Sequence, residues 1–160
     1  MKEDLEYQAK MAAPFGMLGI RTEQGELAEI VFLPRTHREQ PPRDPIADRV
    51  CGQIGRYLED PLFRFDVSTR PRGTPFQRRV WALIEAIPSG RTETYADVAA
   101  RLNSAARAVG QACGANPFPL LVPCHRVVAR DGIGGFAHRG GGYLLEIKRW
   151  LLAHERGITA

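Results

Sequence analysis

Pro119-Leu120-Leu121-Val122-Pro123-Cys124-His125-Arg126-Val127-Val128 is the stretch on which the reading of the whole chain turns. Its apolar run predicts a buried strand that Pro123 stops, with a cysteine set directly against a histidine. The nucleophile of a cysteine is its thiolate, and near neutral pH that form needs a neighbouring base or positive charge. Side chains of successive strand residues point to opposite faces. Cys124 and His125 can therefore share a hydrogen bond only if Pro123 distorts the backbone or a water bridges them. Adjacency alone describes a buried, inert cysteine equally well.

Before this stretch, Thr74-Pro75-Phe76-Gln77 announces a helix: a capping threonine, proline in the first turn and glutamine three residues on. The helix runs through Val80-Trp81 and Leu83-Ile84 to Ile87, and Pro88-Ser89-Gly90 ends it. Thr94 can cap a second helix, with Asp97 placed to reciprocate and Val98 and Leu102 facing a core. A third helix, Ala105 to Cys113, follows after Asn103-Ser104. Two short helices joined by a tight polar turn have the outline of a helix-turn-helix. The third is unusually small-sided, with Arg107 its one large charged side chain; that suits close approach to a partner, or tight packing between helices.

After the cysteine stretch, residues 129–142 hold six glycines, a loop whose backbone can approach a ligand closely or simply connect. Tyr143 to Glu155 reads as an amphipathic helix, with Gly157 as its stop.

The first 70 residues read differently. Phe15–Arg21 and Leu27–Leu33 flank Glu23-Gln24-Gly25 and predict a β-hairpin. Residues 35–45 form a proline-containing loop. Ile46, Val50, Ile54 and Leu58 recur at helical spacing and predict a helix over 46–59, on which Cys51 has no chemistry. Phe63-Arg64-Phe65-Asp66-Val67 alternates as a short strand. Ser68 to Gly73 reads as a linker. The fold class expected is α+β: a small N-terminal unit over 1–70 (short antiparallel sheet plus helix), then a mostly helical unit over 71–160 with the helix-turn-helix and a Pro-Cys-His-Arg strand.

Composition is that of an ordinary globular protein with net charge +4. Residues 1–70 carry 10 Lys/Arg against 12 Asp/Glu, and residues 71–160 carry 12 against 6. Arginine dominates the basic half, where Lys148 is the only lysine, and suits phosphate contacts. A solvated basic face would read the same. Three cysteines without a Cys-x-x-Cys pair, and four histidines without ligand spacing, predict neither a disulfide framework nor a metal. No run reaches membrane-spanning length and the acidic start is no secretory signal, so a cytoplasmic protein, nucleoid-associated in a bacterium, is expected.

The residues from Thr74 onward resemble one family, the O6-alkylguanine-DNA alkyltransferases or methylated-DNA–protein-cysteine methyltransferases. The matching text is Thr74-Pro-Phe-Gln77 through Val80-Trp81, Ile87-Pro88-Ser-Gly90, Thr94-Tyr95, Arg107-Ala-Val-Gly110, Asn116-Pro117-Phe-Pro119, Pro123-Cys124-His125-Arg126-Val127-Val128 and Trp150-Leu-Leu-Ala-His-Glu155. It covers residues 74–157, and the first 70 fit only in outline.

The resemblance implies a DNA repair protein that takes the alkyl group from guanine O6 onto its own Cys124, once and irreversibly. His125 would be the base through a water, oriented by Glu155, and Asn116 would brace the loop. Tyr95 would stand by the flipped base as proton donor. Pro119, the backbone of Val127, and Gly135, Phe136 and Ala137 would line the base pocket. Arg107 would be the arginine finger that fills the gap left by base flipping. Ala106, Ala108 and Gly110 would press into the minor groove, with Thr94 and Arg126 also on DNA. No cofactor is implied, and the partner is double-stranded DNA carrying O6-alkylguanine, bound by a monomer with little sequence preference. Phe136 and Ala137 depart from the aromatic phenol and hydroxyl common in the family's glycine loop, which bears on the alkyl groups accepted. Proteins on the same scaffold with tryptophan in place of the cysteine bind lesions without repairing them, and Cys124 sets this chain apart from those. A Cys–His hydrolase lacks an evident oxyanion hole. A sequence-specific regulator would need base-reading polar groups where this helix has Ala and Gly.

Overall fold

The computed structural model describes residues 7–134 and 143–157. The chain divides into two compact units, Met1–Pro71 and Arg72–Ala160.

In the first unit, strands β1 (Ala9–Ala13), β2 (Gly16–Glu23) and β3 (Glu26–Leu33) form an antiparallel sheet in that order. Gln24 and Gly25 both take positive φ, 50° and 79°, the conformation a two-residue hairpin turn demands. This is the predicted hairpin; β1 is an addition to it. Helix α1 (Pro45–Glu59) starts where Asp44 accepts a hydrogen bond from the Ala47 amide at 2.7 Å, with Pro45 in the first turn. It buries Val50, Ile54 and Tyr57, and the sheet contributes Leu18, Ile20 and Leu27 to the buried set. Burial and the neighbouring Asp48 raise the Cys51 thiol pKa to about 11, which keeps it protonated and unreactive at neutral pH.

The strand expected over Phe63–Val67 is absent: the segment makes no ladder. Its backbone partners are side chains of α1. Gln53 both accepts from the Asp66 amide (2.9 Å) and donates to its carbonyl (3.0 Å), and Arg49 Nη2 donates to the same carbonyl at 2.9 Å. The aromatic alternation instead serves ring packing, with Phe65 5.6 Å from both Tyr57 and Phe63.

In the second unit, Thr74 and Gln77 close a reciprocal capping box on helix α2 (Pro75–Glu85). Gly73, at φ +93°, sits where a Cβ would lie 2.5 Å from the Trp81 ring. Strand β4 (Glu93–Thr94) leads into helix α3 (Tyr95–Arg101), whose box joins Thr94 and Asp97. Thr94→Ala is expected to destabilise the protein by about 1 kcal/mol, read from urea unfolding. Helix α3 stops at Asn103 in the left-handed region (φ 52°), with the Ser104 amide bonded back to Ala99 O at 2.9 Å. Helix α4 (Ala106–Gly114) follows at once and packs on α3 and α2. Trp81 Nε1 donates to Ala112 O at 2.9 Å, fixing α2 against α4.

A 3₁₀ turn (Cys124–Arg126) and strand β5 (Val127–Val128) come next, and β5 pairs in parallel with β4. Helix α5 (Tyr143–Glu155) buries Leu144, Ile147, Leu151 and Leu152. The α+β class holds, but the strand expected over Pro119–Val122 does not: these residues are a series of turns. Pro117, Pro119 and Pro123 remove three amide donors that a ladder needs, and Leu120 takes φ +77°. Leu120 and Val122 are buried all the same, so the hydrophobicity was a signal of burial rather than of strand.

Candidate active site

Asn116, just beyond α4, organises the turns. Its Oδ1 accepts from the Phe118 amide at 2.9 Å, while Nδ2 donates to Val122 O at 2.8 Å and to Cys124 Sγ at 3.3 Å. One side chain therefore satisfies the backbone of a segment that has no ladder and also holds the sulfur. Pro123, at φ −80° and ψ 67°, is the centre of an inverse γ-turn closed by Cys124 N to Val122 O at 2.8 Å. Cys124 then opens the 3₁₀ turn, so it and His125 diverge as neighbours on a turn rather than across a strand.

Cys124 and His125 are buried. His125 Nε2 meets Glu155 Oε2 at 2.8 Å. Burial is the main cause lowering the His125 pKa, against the raising effect of Glu155, so the ring is neutral at pH 7. A neutral imidazole on a carboxylate donates through Nε2, which leaves Nδ1 as its lone-pair nitrogen.

Arg126 departs from its expected place on DNA. Its Nε and Nη2 donate to the two oxygens of Glu155, each at 2.8 Å, and Nη1 donates to Ile87 O at 2.6 Å. Three of its donors are spent inside the unit. The bidentate geometry suits an arginine that fixes a carboxylate.

The β4–β5 pairing sets Glu93 opposite Val127 and Thr94 opposite Val128. Tyr95, the next residue, thereby comes to the cysteine. Its pKa is raised to about 12, first by burial and then by Cys113 and Cys124, so the phenol is protonated at neutral pH. Gly134 lies against it, where a Cβ would stand 3.3 Å from the hydroxyl.

Two members of this cluster were missing from the sequence reading. Lys148 is fully buried on α5, with Nζ donating to Val127 O at 2.8 Å and reaching Tyr95 Oη at 3.5 Å. Its signal was legible: the only lysine of the basic half lies on the stripe of Leu144, Ile147, Leu151 and Leu152. Burial lowers its pKa to about 8, against the raising effect of the two nearby cysteines. The unfolded chain, at 10.5, holds its proton longer than the folded one. Relative to Lys148→Met, the wild type should gain on the order of 3 kcal/mol as pH rises from about 8 to 10.5, measured by urea unfolding.

Cys113, on the last turn of α4, is the other. The neighbouring Cys113 and then burial push the Cys124 thiol well above the ordinary thiol range, opposed by Asn116 and Lys148, whereas Cys113 is lowered by Cys124 and Lys148 against the raising effect of burial.

Of the remaining expected residues, Arg107 and Ala106 are exposed on α4, Ala108, Gly110 and Thr94 are half-buried, and Pro119 is buried. Gly135, Phe136 and Ala137 lie outside the described residues. The first turn of α4 has no side-chain cap. Among the described residues, no group of three or more His, Cys, Asp or Glu side chains could hold a metal ion, and no helix is long and apolar enough to cross a membrane.

A family profile described as the DNA-binding domain of 6-O-methylguanine DNA methyltransferase matches residues 75–157. A probable methylated-DNA–protein-cysteine methyltransferase of Acanthamoeba polyphaga mimivirus is 51% identical over 90 residues, which are 55% of this chain and 57% of that protein. The methylated-DNA–protein-cysteine methyltransferase of Methanosarcina mazei is 33% identical over 157 residues, 93% of this chain and 96% of that protein. The crystal structure of Mycobacterium tuberculosis OGT in complex with DNA superposes with a TM-score of 0.76 at 35% identity, covering 94% of this chain and 92% of that one. The viral alignment thus spans less than two thirds of its partner, whereas the archaeal and mycobacterial ones run nearly end to end. With the profile resting on the half that holds Asn116, Cys124, His125 and Glu155, the chain belongs to the methylated-DNA–protein-cysteine methyltransferase family.

Proposed function

We propose that this protein repairs DNA by moving the alkyl group of O6-alkylguanine onto Cys124 Sγ, once per molecule. The observation that carries the reading is the Cys124 sulfur braced by Asn116, next in the chain to a neutral histidine seated on a buried glutamate. The thiol proton passes through a water to Nδ1 of His125. The sulfur then attacks the alkyl carbon, the S–C bond forms as the C–O6 bond breaks, and guanine leaves with the electron pair. Tyr95, protonated at neutral pH, donates to the leaving base. Glu155 stabilises the imidazolium that results.

The reacting carbon is inaccessible inside a duplex, so the nucleotide is flipped out. Arg107 at the exposed start of α4 fills the vacated place, and the uncapped amides beside it receive a phosphate. The small side chains Ala106, Ala108 and Gly110 let the helix lie in the minor groove, with contacts that carry little sequence preference. Pro119, Val127 and the loop from Gly135 to Ala137 form the base pocket. The protein acts as a monomer on chromosomal DNA, in the cytoplasm or nucleoid, and the first unit is its scaffold.

Mass spectrometry after incubation with a duplex carrying one O6-methylguanine tests this. The expected result is one methyl mass per protein, on the peptide that contains Cys124. Tight binding to the lesion duplex without a mass gain would make the protein a lesion sensor instead.

A further inference from the structure

His125 and Glu155 are a pair whose charges do not balance by themselves. A carboxylate at 1% exposure facing an equally buried neutral histidine leaves a negative charge in the interior. A proton drawn onto the ring relieves it, turning the pair into imidazolium and carboxylate. A histidine in that state has no lone pair on Nδ1 and takes no proton from a thiol. Arg126 changes the balance. Its Nη2 and His125 Nε2 both meet Glu155 Oε2 at 2.8 Å, while its Nε holds Oε1 at 2.8 Å. With the guanidinium in place, the neutral ring belongs to a set whose net charge is zero. Nη1, bonded to Ile87 O at 2.6 Å, keeps the fork from turning away. Little water screens the arginine, whose side chain is 12% exposed. Burial lowers the pKa of the ring most; among the charged groups that act on it, Glu155 raises it and Arg126 and Lys148 lower it. Helix α5 brings Glu155 and Lys148, and the chain just beyond α2 brings the Ile87 carbonyl.

Resting on the transfer reading above, we propose that Arg126 is a positioning residue for the transfer: it holds Glu155 so that the carboxylate orients His125 and leaves Nδ1 free for the thiol proton. When that proton crosses through the water, the sulfur becomes a thiolate and the ring an imidazolium. The carboxylate, already fixed by the bidentate fork, meets the new positive charge without moving. Lacking the guanidinium, the same carboxylate would hold the ring protonated at rest, and the base would be occupied before any substrate arrived.

The test follows the His125 ring of the full chain by NMR over about pH 5 to 9, and over the same range measures the rate of methyl uptake from an O6-methylguanine duplex. In Arg126→Met the titration midpoint of the ring should rise by about 1–3 pH units, and the acid limb of the uptake profile should rise with it. Arg126→Lys keeps the charge without the fork, so its midpoint should move less. In Arg126→Met combined with Glu155→Gln neither charge is left, and the midpoint should return to the wild-type range or below. Arg126→Gln keeps amide donors for the carboxylate and takes the place of Arg126→Met if that variant does not fold. An arginine that only braces the fold would lower stability, or uptake at every pH alike, and leave the His125 titration where wild type has it. That result, with methyl uptake by wild type intact, overturns this inference and spares the transfer reading. A wild type that binds the lesion duplex and takes up no methyl overturns the reading, and the role of the base with it.

Discussion

Cys124→Ser is expected to bind an O6-methylguanine duplex about as well as wild type and to take up no methyl group. Serine keeps the acceptor for the Asn116 donor, so the turn should survive, with a stability change within about 1–2 kcal/mol. What it loses is nucleophilicity: a hydroxyl ionises far less readily than a thiol and is a poor attacker at saturated carbon. Gel-shift titration and intact mass on the same samples separate the two effects. Methyl uptake by the variant would mean that another residue is the acceptor, and Cys113 would be the first to inspect. A parallel loss of binding would mean that the sulfur helps to hold the turn in its DNA-ready shape.

Glu155→Ala should be the most damaging single change to the fold of the second unit, with a loss of about 3–5 kcal/mol. The carboxylate is 1% exposed and takes hydrogen bonds from His125 Nε2, Arg126 Nε and Arg126 Nη2, all at 2.8 Å. Removing it leaves the arginine charge inside the unit with Ile87 O as its remaining partner. Glu155→Gln keeps the volume and one carbonyl oxygen, so it should be milder in urea unfolding. It should still slow methyl transfer, because a neutral amide stabilises an imidazolium less than a carboxylate does. Equal stability losses for Ala and Gln would show that the network depends on charge rather than on shape and hydrogen-bond count.

The parts of the fold that depend on neighbours in sequence were legible in it. Thr74 with Gln77, Thr94 with Asp97, and Gln24-Gly25 each complete their hydrogen bonds or backbone turn within four residues, so their motifs mark where helices and a hairpin begin. The misread stretches have distant partners. Val122 leans on Asn116 and Asp66 on Gln53, and in both cases a side chain replaces the strand that alternation suggested. Strand β1, rich in alanine, carries little strand propensity and exists through its pairing with β2. In the site, the resemblance brought Cys124, His125, Asn116, Tyr95 and Glu155 forward together, and the structure gathers them. It misassigned Arg126 because a basic residue in a basic half looks like a phosphate contact until its buried carboxylate is seen. Lys148 was passed over for the opposite reason, since a lone lysine among apolar helix positions was read as part of an ordinary amphipathic helix.

The separation of His125 from Glu155, 30 residues along the chain, sets an order of assembly during translation. Chains emerge from the ribosome N-terminus first, at about 5–20 residues per second, so Cys124 is made seconds before the helix that completes its surroundings. In that interval the nascent polypeptide holds a cysteine, a histidine and an arginine with no carboxylate to arrange them. A ribosome stalled ahead of Glu155 would display helix-turn-helix segments without a working acceptor. Under the proposed function, such a product lacks the carboxylate that completes the acceptor site, so unfinished chains would contribute nothing to alkyl transfer.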